Sequence, residues 1–168
     1  MLAYSPFIIG LDAHGIGFVF IGWGILVAFA SVVIAPRLNQ RYGLIKPMGV
    51  ILIIFALLLM VMGIYTSMHW IIISSIIFAG VLIGSLNTLI TTAVMQATTI
   101  ERSTVSAAYS FLRFVGAAIA PYMAGVLAVI YSPHVPFIVG GCFVFGSAVF
   151  LLINRHHVES IDRERFKE

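Results

Sequence analysis

The sequence has 168 residues, 61% of them hydrophobic and 9% charged, with a formal net charge of +3 and a mean hydropathy of +1.13. Soluble domains carry about 25% charged residues, so this composition excludes a water-dispersed domain and gives an integral membrane protein. The basic balance does not point to nucleic acid, because Lys and Arg lie between and after hydrophobic segments, where membrane topology places them.

A spanning helix needs roughly 20 apolar residues. Residues 2–9 are apolar but too few to cross, and read as the tail of a helix whose beginning is absent. Asp12 and His14 form a short polar break, with Asp12 placed to cap the next helix. Segment A covers residues 16–35 and is expected to stop at Pro36. The polar stretch RLNQRYGLIK follows, carrying Arg37, Arg41 and Lys46. Segment B covers residues 47–65, and the break Thr66, Ser67, Met68, His69 has no formal charge. Segment C covers residues 70–96, and Glu101 and Arg102 mark the next loop. Segment D covers residues 103–131, Ser132, Pro133 and His134 make another uncharged break, and segment E covers residues 136–154. The expected fold is an all-α integral membrane bundle of five transmembrane helices plus a partial sixth at the N-terminus. Residues 1–155 form the bundle and residues 156–168 a charged cytoplasmic tail.

Basic residues alternate along the loops. The A–B loop has three, B–C none, C–D one and D–E none, while the tail has Arg155, Arg163, Arg165 and Lys167. Basic residues favour the cytoplasmic side, which puts the A–B loop, the C–D loop and the tail inside. Tyr65, Trp70 and Tyr131 then fall at the outer boundary, as interfacial aromatics do.

Segment D is the stretch around which the bundle is expected to be organised. At helical spacing one face reads Ser106, Ser110, Arg113, Ala117, Ala120, Ala124, with Gly116 beside it. Small residues let membrane helices approach closely, so D is expected to be packed inside the bundle. Pro121 leaves the Ala117 carbonyl without its helical donor and predicts a kink. Arg113 is the one charge clearly inside a span. It snorkels to the cytoplasmic surface, pairs with polar groups in the bundle, or touches substrate.

Three more positions stand out. Gly80 and Gly84 make a small-xxx-small pair in segment C, continued by Ser85, Asn87, Thr88 and Thr91. Asn87 and Thr88 either hydrogen-bond between helices or border a substrate cavity. Trp23 lies deep in segment A, as a packing or lipid-contact residue or as an aromatic wall for an apolar or cationic ligand. Cys142 is single, so it forms no internal disulfide, and no His, Cys, Asp and Glu cluster has metal spacing. No nucleophile–base pair or phosphate loop suggests an enzyme, and no cofactor is implied. No Asp or Glu lies inside a span, where proton-driven carriers use them.

The residues Ala35-Pro36-Arg37-Leu38-Asn39-Gln40-Arg41-Tyr42-Gly43 resemble the second copy of the cytoplasmic motif G-x-L-x-D-R-x-G of the major facilitator superfamily. Leu38, Arg41 and Gly43 match, Pro36 replaces the first glycine and Gln40 replaces the aspartate. Segment D, from Ala108 to Pro121, is similar to the eleventh-helix pattern A-x-Y-x-F-x-R-x-x-G-x-A-x-x-P of drug exporters in that family. The resemblance implies that A to E are helices eight to twelve and residues 2–9 the end of helix seven, so that the fold is the family's C-terminal bundle. It implies a secondary transporter, most like a proton-coupled exporter of drugs or other small apolar or cationic compounds. The expected setting is the cell membrane, with lipid, a small-molecule substrate and the missing N-terminal half as partners. Trp23, Asn87, Thr88 and Arg113 are then candidates for the substrate cavity, and Arg41 and Gly43 for a conformational-switch loop. A transporter of sugars or metabolites, or a truncated non-transporting scaffold, are the alternatives.

Overall fold

A computed structural model describes residues 13–65, 68–96 and 102–154, with the backbone alone for Ala13 and Arg102. The expectations for residues 2–9, for Asp12 as a cap, for Glu101 and for the tail 156–168 lie outside the described residues. Every regular element among those described is helical. In hydrocarbon each backbone N–H and C=O must be satisfied inside its own segment, and these runs are too apolar to do it any other way. Helix α1 is Ala13–Phe29, α2 is Ala35–Tyr42, α3 is Ile45–Ile64, α4 is His69–Gln96, α5 is Arg102–Ile130 and α6 is Val135–Ile153. With α1 and α2 taken together, five helices are long and apolar enough to cross a membrane.

Pro36 does not end the first span, contrary to the expectation for segment A. A π-helical turn, Ala30–Ile34, joins α1 directly to α2, and the Ala35 N–H reaches back five residues to the Ala30 carbonyl. The wide turn resets the register. Pro36 then falls in the first turn of α2, where its missing N–H costs nothing. Arg37, Leu38, Gln40 and Arg41 are good helix formers, so the stretch read as a loop continues the helix to Tyr42. Only Gly43 and Leu44 turn the chain into α3.

Two helix pairs build the bundle. Glycine contacts give their directions. On α1 and α4, Trp23 meets Gly80 and Val27 meets Gly84, both numbers rising together, so these helices run parallel. On α3 and α6, Gly49 meets Leu152, Gly141 meets Ala56, and Gly63 meets Phe137 and Ile138, so that pair is antiparallel. Helix α4 also packs on α3 and joins the pairs. One buried cluster, including Ala35, Leu44, Met48 and Leu86, closes the α2–α3 end. A second, with Val19, Leu59, Met62, Ile72, Ile76 and Phe137, fills the opposite end. At that second end the His134 Nδ1 lies 2.7 Å from the Gly63 carbonyl oxygen, tying the start of α6 to the end of α3. A carbonyl only accepts, so Nδ1 carries the proton. Tyr65, Trp70 and Tyr131 are all exposed at this end, in keeping with a belt at one interface.

The expectation that segment D sits inside the bundle is also corrected. Helix α5 runs through Pro121 as one helix. However, Arg113, Gly116, Ala117 and Ala120 are exposed, and a side chain added at Gly116 meets no atom of the described residues within 4 Å. Small residues permit close approach but do not cause it. Here the closest backbone approaches are taken by α1 with α4 and α3 with α6, which leaves α5 leaning lightly on α4 and α6.

Candidate functional site

The seam between α1 and α4 carries two of the candidate residues, Trp23 opposite Gly80 and Thr88 opposite Ser31. The α4 face Gly80, Gly84, Thr88 repeats every four residues and meets Trp23 and Val27 on α1 and Ser31 in the π turn, which repeat at the same interval. A Cβ built on Gly80 lies 2.7 Å from the Trp23 carbonyl oxygen and 3.1 Å from its Cδ1. At Gly84 it overlaps the Val27 carbonyl oxygen and lies 3.0 Å from the Val27 Cα. Only glycine admits the α1 backbone this closely, and the helices gain van der Waals contact along the whole track.

Polar side chains continue the seam toward α2. The Ser31 hydroxyl donates to the Gly84 carbonyl at 3.1 Å. The Thr88 hydroxyl donates to the same carbonyl at 3.2 Å and lies 3.5 Å from the Ser31 carbonyl. Ser31 is inside the π-helical turn, where the wide backbone gives its carbonyl no regular helical donor. Thr88 thus bonds chiefly within α4, with a longer contact to Ser31 across the seam. Thr91 and Thr92 donate to the carbonyls of Asn87 and Thr88 at 2.7 and 2.8 Å, satisfying their hydroxyls within α4. Asn87 is half-buried beside this track, and its amide makes no hydrogen bond among the described residues.

Trp23 is half-buried and packs against the second core cluster. Its Nε1 is buried and without a hydrogen-bond partner among the described residues, as is the Ser85 hydroxyl. Indole N–H groups usually find a partner when buried, so Trp23 serves the seam through its ring. Arg113 is not brought to this strip; it stands exposed on α5. Among the described residues no group of three or more His, Cys, Asp or Glu side chains could hold a metal ion.

The turn after α2 holds the other candidates. The Gly43 N–H bonds the Asn39 carbonyl at 3.0 Å, and Gly43 takes φ 77°, ψ −166°. That combination is open essentially to glycine alone. Arg41 is exposed and its guanidinium lies 5.5 Å from the centroid of the Tyr42 ring, within cation–π range. Gly43 therefore makes the sharp exit that lets α3 fold back, and Arg41 lies free of the packed core at that end.

Ser31 and the His134–Gly63 tie are not visible in the sequence. Pro36 is the one signal near Ser31, since a proline inside a span needs a rearranged backbone just before it. Nothing in the sequence links His134 to a glycine 71 residues away.

A family model described as Major Facilitator Superfamily matches residues 1–168. The chain is similar to the multidrug efflux protein YfmO of Bacillus subtilis (strain 168), 45% identical over 161 residues. The match covers 96% of this chain and 41% of that relative, so the chain spans about two-fifths of its length. No solved structure matches the chain.

Proposed function

This chain belongs to the major facilitator superfamily, and from that premise we propose that it is the C-terminal bundle of a secondary transporter exporting small apolar or cationic compounds. The observation that carries the reading is the 45% identity, across nearly the whole chain, to a protein named for multidrug efflux. A multi-pass bundle of apolar helices fits it. Transporters of this kind are built from two bundles that rock about a site near the bilayer midplane, so the N-terminal bundle is the partner this reading requires. Efflux driven by protons would draw its titrating carboxylate from that bundle, because the spans of this chain hold no Asp or Glu.

On this reading Asn87 is the polar contact for substrate on α4, with Thr88 at the seam behind it and Trp23 stiffening the wall. Arg41 and Gly43 shape the turn that changes as the bundles rock. Arg113, exposed on α5, faces either the partner bundle or the substrate path. The setting is the cell membrane, with the A–B turn and the C-terminus in the cytoplasm.

The test is efflux of a fluorescent lipophilic cation from an exporter-deficient bacterium expressing the whole protein, with and without a protonophore. Energised cells should clear the dye faster than vector controls, and the protonophore should abolish the difference. Clearance equal to the vector control would refute the reading. Asn87→Ala should raise the half-saturating dye concentration, whereas Arg41→Ala should lower the maximal rate with that concentration unchanged.

A further inference from the structure

Between α3, α5 and α6 the side chains leave a partly open cavity of about 170 Å³, lined by Phe55, Leu59, Ala124, Phe137, Gly140 and Val144. It is separate from the α1–α4 seam, and nothing said of transport bears on it. Every one of these side chains is apolar. Two of the walls are fixed, because Leu59 and Phe137 are 5% and 2% exposed and belong to the buried cluster with Met62, Ile72 and Ile76. Gly140 adds no side chain, and a Cβ there would only touch the Leu59 Cδ1 at 3.9 Å. The third wall, α5, offers only the small Ala124 and packs lightly. Neither fixed wall can collapse into the space, and α5 has no side chain there to fill it.

The depth of the cavity indicates what enters it. Phe55 and Leu59 are in the second half of α3, Gly140 and Val144 in the first half of α6, and Ala124 near the end of α5. All lie in the half of the spans next to Tyr65, Trp70 and Tyr131, below that interface and inside the hydrocarbon. The medium at this depth is lipid acyl chain. Apolar cavities of about 150 Å³ take up small hydrocarbons such as benzene rather than water. We propose that this cavity is a lipid site that takes the acyl chain of a phospholipid from the adjacent leaflet, filling the gap that α5 leaves beside α3 and α6.

The test uses the whole protein in nanodiscs with a phosphatidylcholine carrying a diazirine on its acyl chain, in parallel with a free aryl diazirine hydrocarbon. Adducts are mapped by mass spectrometry. Leu59 and Phe137 are shielded from bulk lipid, so acyl-chain adducts on them report occupancy of the cavity. Ala124→Leu and Gly140→Val fill it from opposite walls, so one serves if the other fails to fold. Either should lower those adducts several-fold while leaving those on the exposed Phe143 and Phe150 unchanged. Gly146→Leu, on an open face of α6 with no atom near it, should change neither set. Adducts on Leu59 and Phe137 that survive both filling variants, their absence in the wild type, or their appearance with the free aryl probe alone would overturn the proposal.

Discussion

Replacing Gly84 by alanine should destabilise this bundle, whereas the same change at Gly116 should not. At Gly84 the new methyl group overlaps the Val27 carbonyl oxygen and lies 3.0 Å from the Val27 Cα and 3.1 Å from the Ser31 Oγ. Two of these three contacts are backbone, which cannot rotate away, so α1 and α4 must separate. Forcing one methyl into a packed seam costs about 1–3 kcal/mol. Separation also weakens the Ser31 hydrogen bond to the Gly84 carbonyl, worth about 0.6 kcal/mol between membrane helices. Alanine returns about 1 kcal/mol through its better helix propensity. The net loss is then about 0.6–2.6 kcal/mol, from the same cited terms. At Gly116 no described residue lies within 4 Å, so only the propensity gain remains and stability should hold or rise slightly. Reversible unfolding of both variants in mixed detergent micelles, followed by circular dichroism, measures the difference. If Gly84→Ala matched the wild type, or Gly116→Ala lost as much as Gly84→Ala, the assignment of the close-packed seam to α1 and α4 would fall.

Three further outcomes are expected. Gly43→Ala should cost about 1–3 kcal/mol for a side chain in its backbone region. Gly43→Asn should cost as much, because asparagine favours positive φ only with ψ near +45°, far from −166°; a thermal midpoint for Gly43→Asn well above that of Gly43→Ala would refute this. His134→Ala should lose a tie worth about 0.6–1.7 kcal/mol, while His134→Asn, whose Nδ2 can take the place of Nδ1, should keep most of it; equal losses in the same unfolding assay would remove the tie from the stability of α3 and α6. With Cys142 replaced by alanine, a membrane-impermeant thiol reagent applied to whole cells should label Ser132→Cys and spare Asn39→Cys, and the reverse pattern would invert the proposed orientation.

The spans were legible in the sequence because hydrophobic length alone dictates them. In hydrocarbon a long apolar run has one way to satisfy its backbone, and α3, α4, α5 and α6 begin and end within a few residues of segments B to E. The first span was misjudged at Pro36 because a π turn is a local register change with no side-chain signature. Its cause, a missing N–H, is visible in the sequence, but its form is not. Helix partners were the least legible feature. Segments C and D both carry small residues at four-residue spacing, yet Gly80 and Gly84 are pressed against a backbone while Gly116 touches none of the described residues.

The difference lies in what a small residue meets on the facing helix, not in the small residue itself. Between membrane helices there is no hydrophobic gain to force contact. A glycine track therefore buries only where the opposite helix offers carbonyls and polar groups at matching height. Opposite Gly84 stand Val27 and Ser31, and the hydroxyl of Ser31 reaches the Gly84 carbonyl because the π turn begins one residue before it. The α5 stripe finds no such counterpart among the described helices. Among the described residues the side chains of its Ser106, Ser110 and Arg113 make no hydrogen bond. The same residues that made segment D conspicuous as a packing face thus become, on the proposed transporter reading, a face toward the second bundle. There, Arg113→Lys should leave the stability of this bundle unchanged and be felt only in transport. Loss of stability with intact efflux would instead place Arg113 among the residues that hold this chain together.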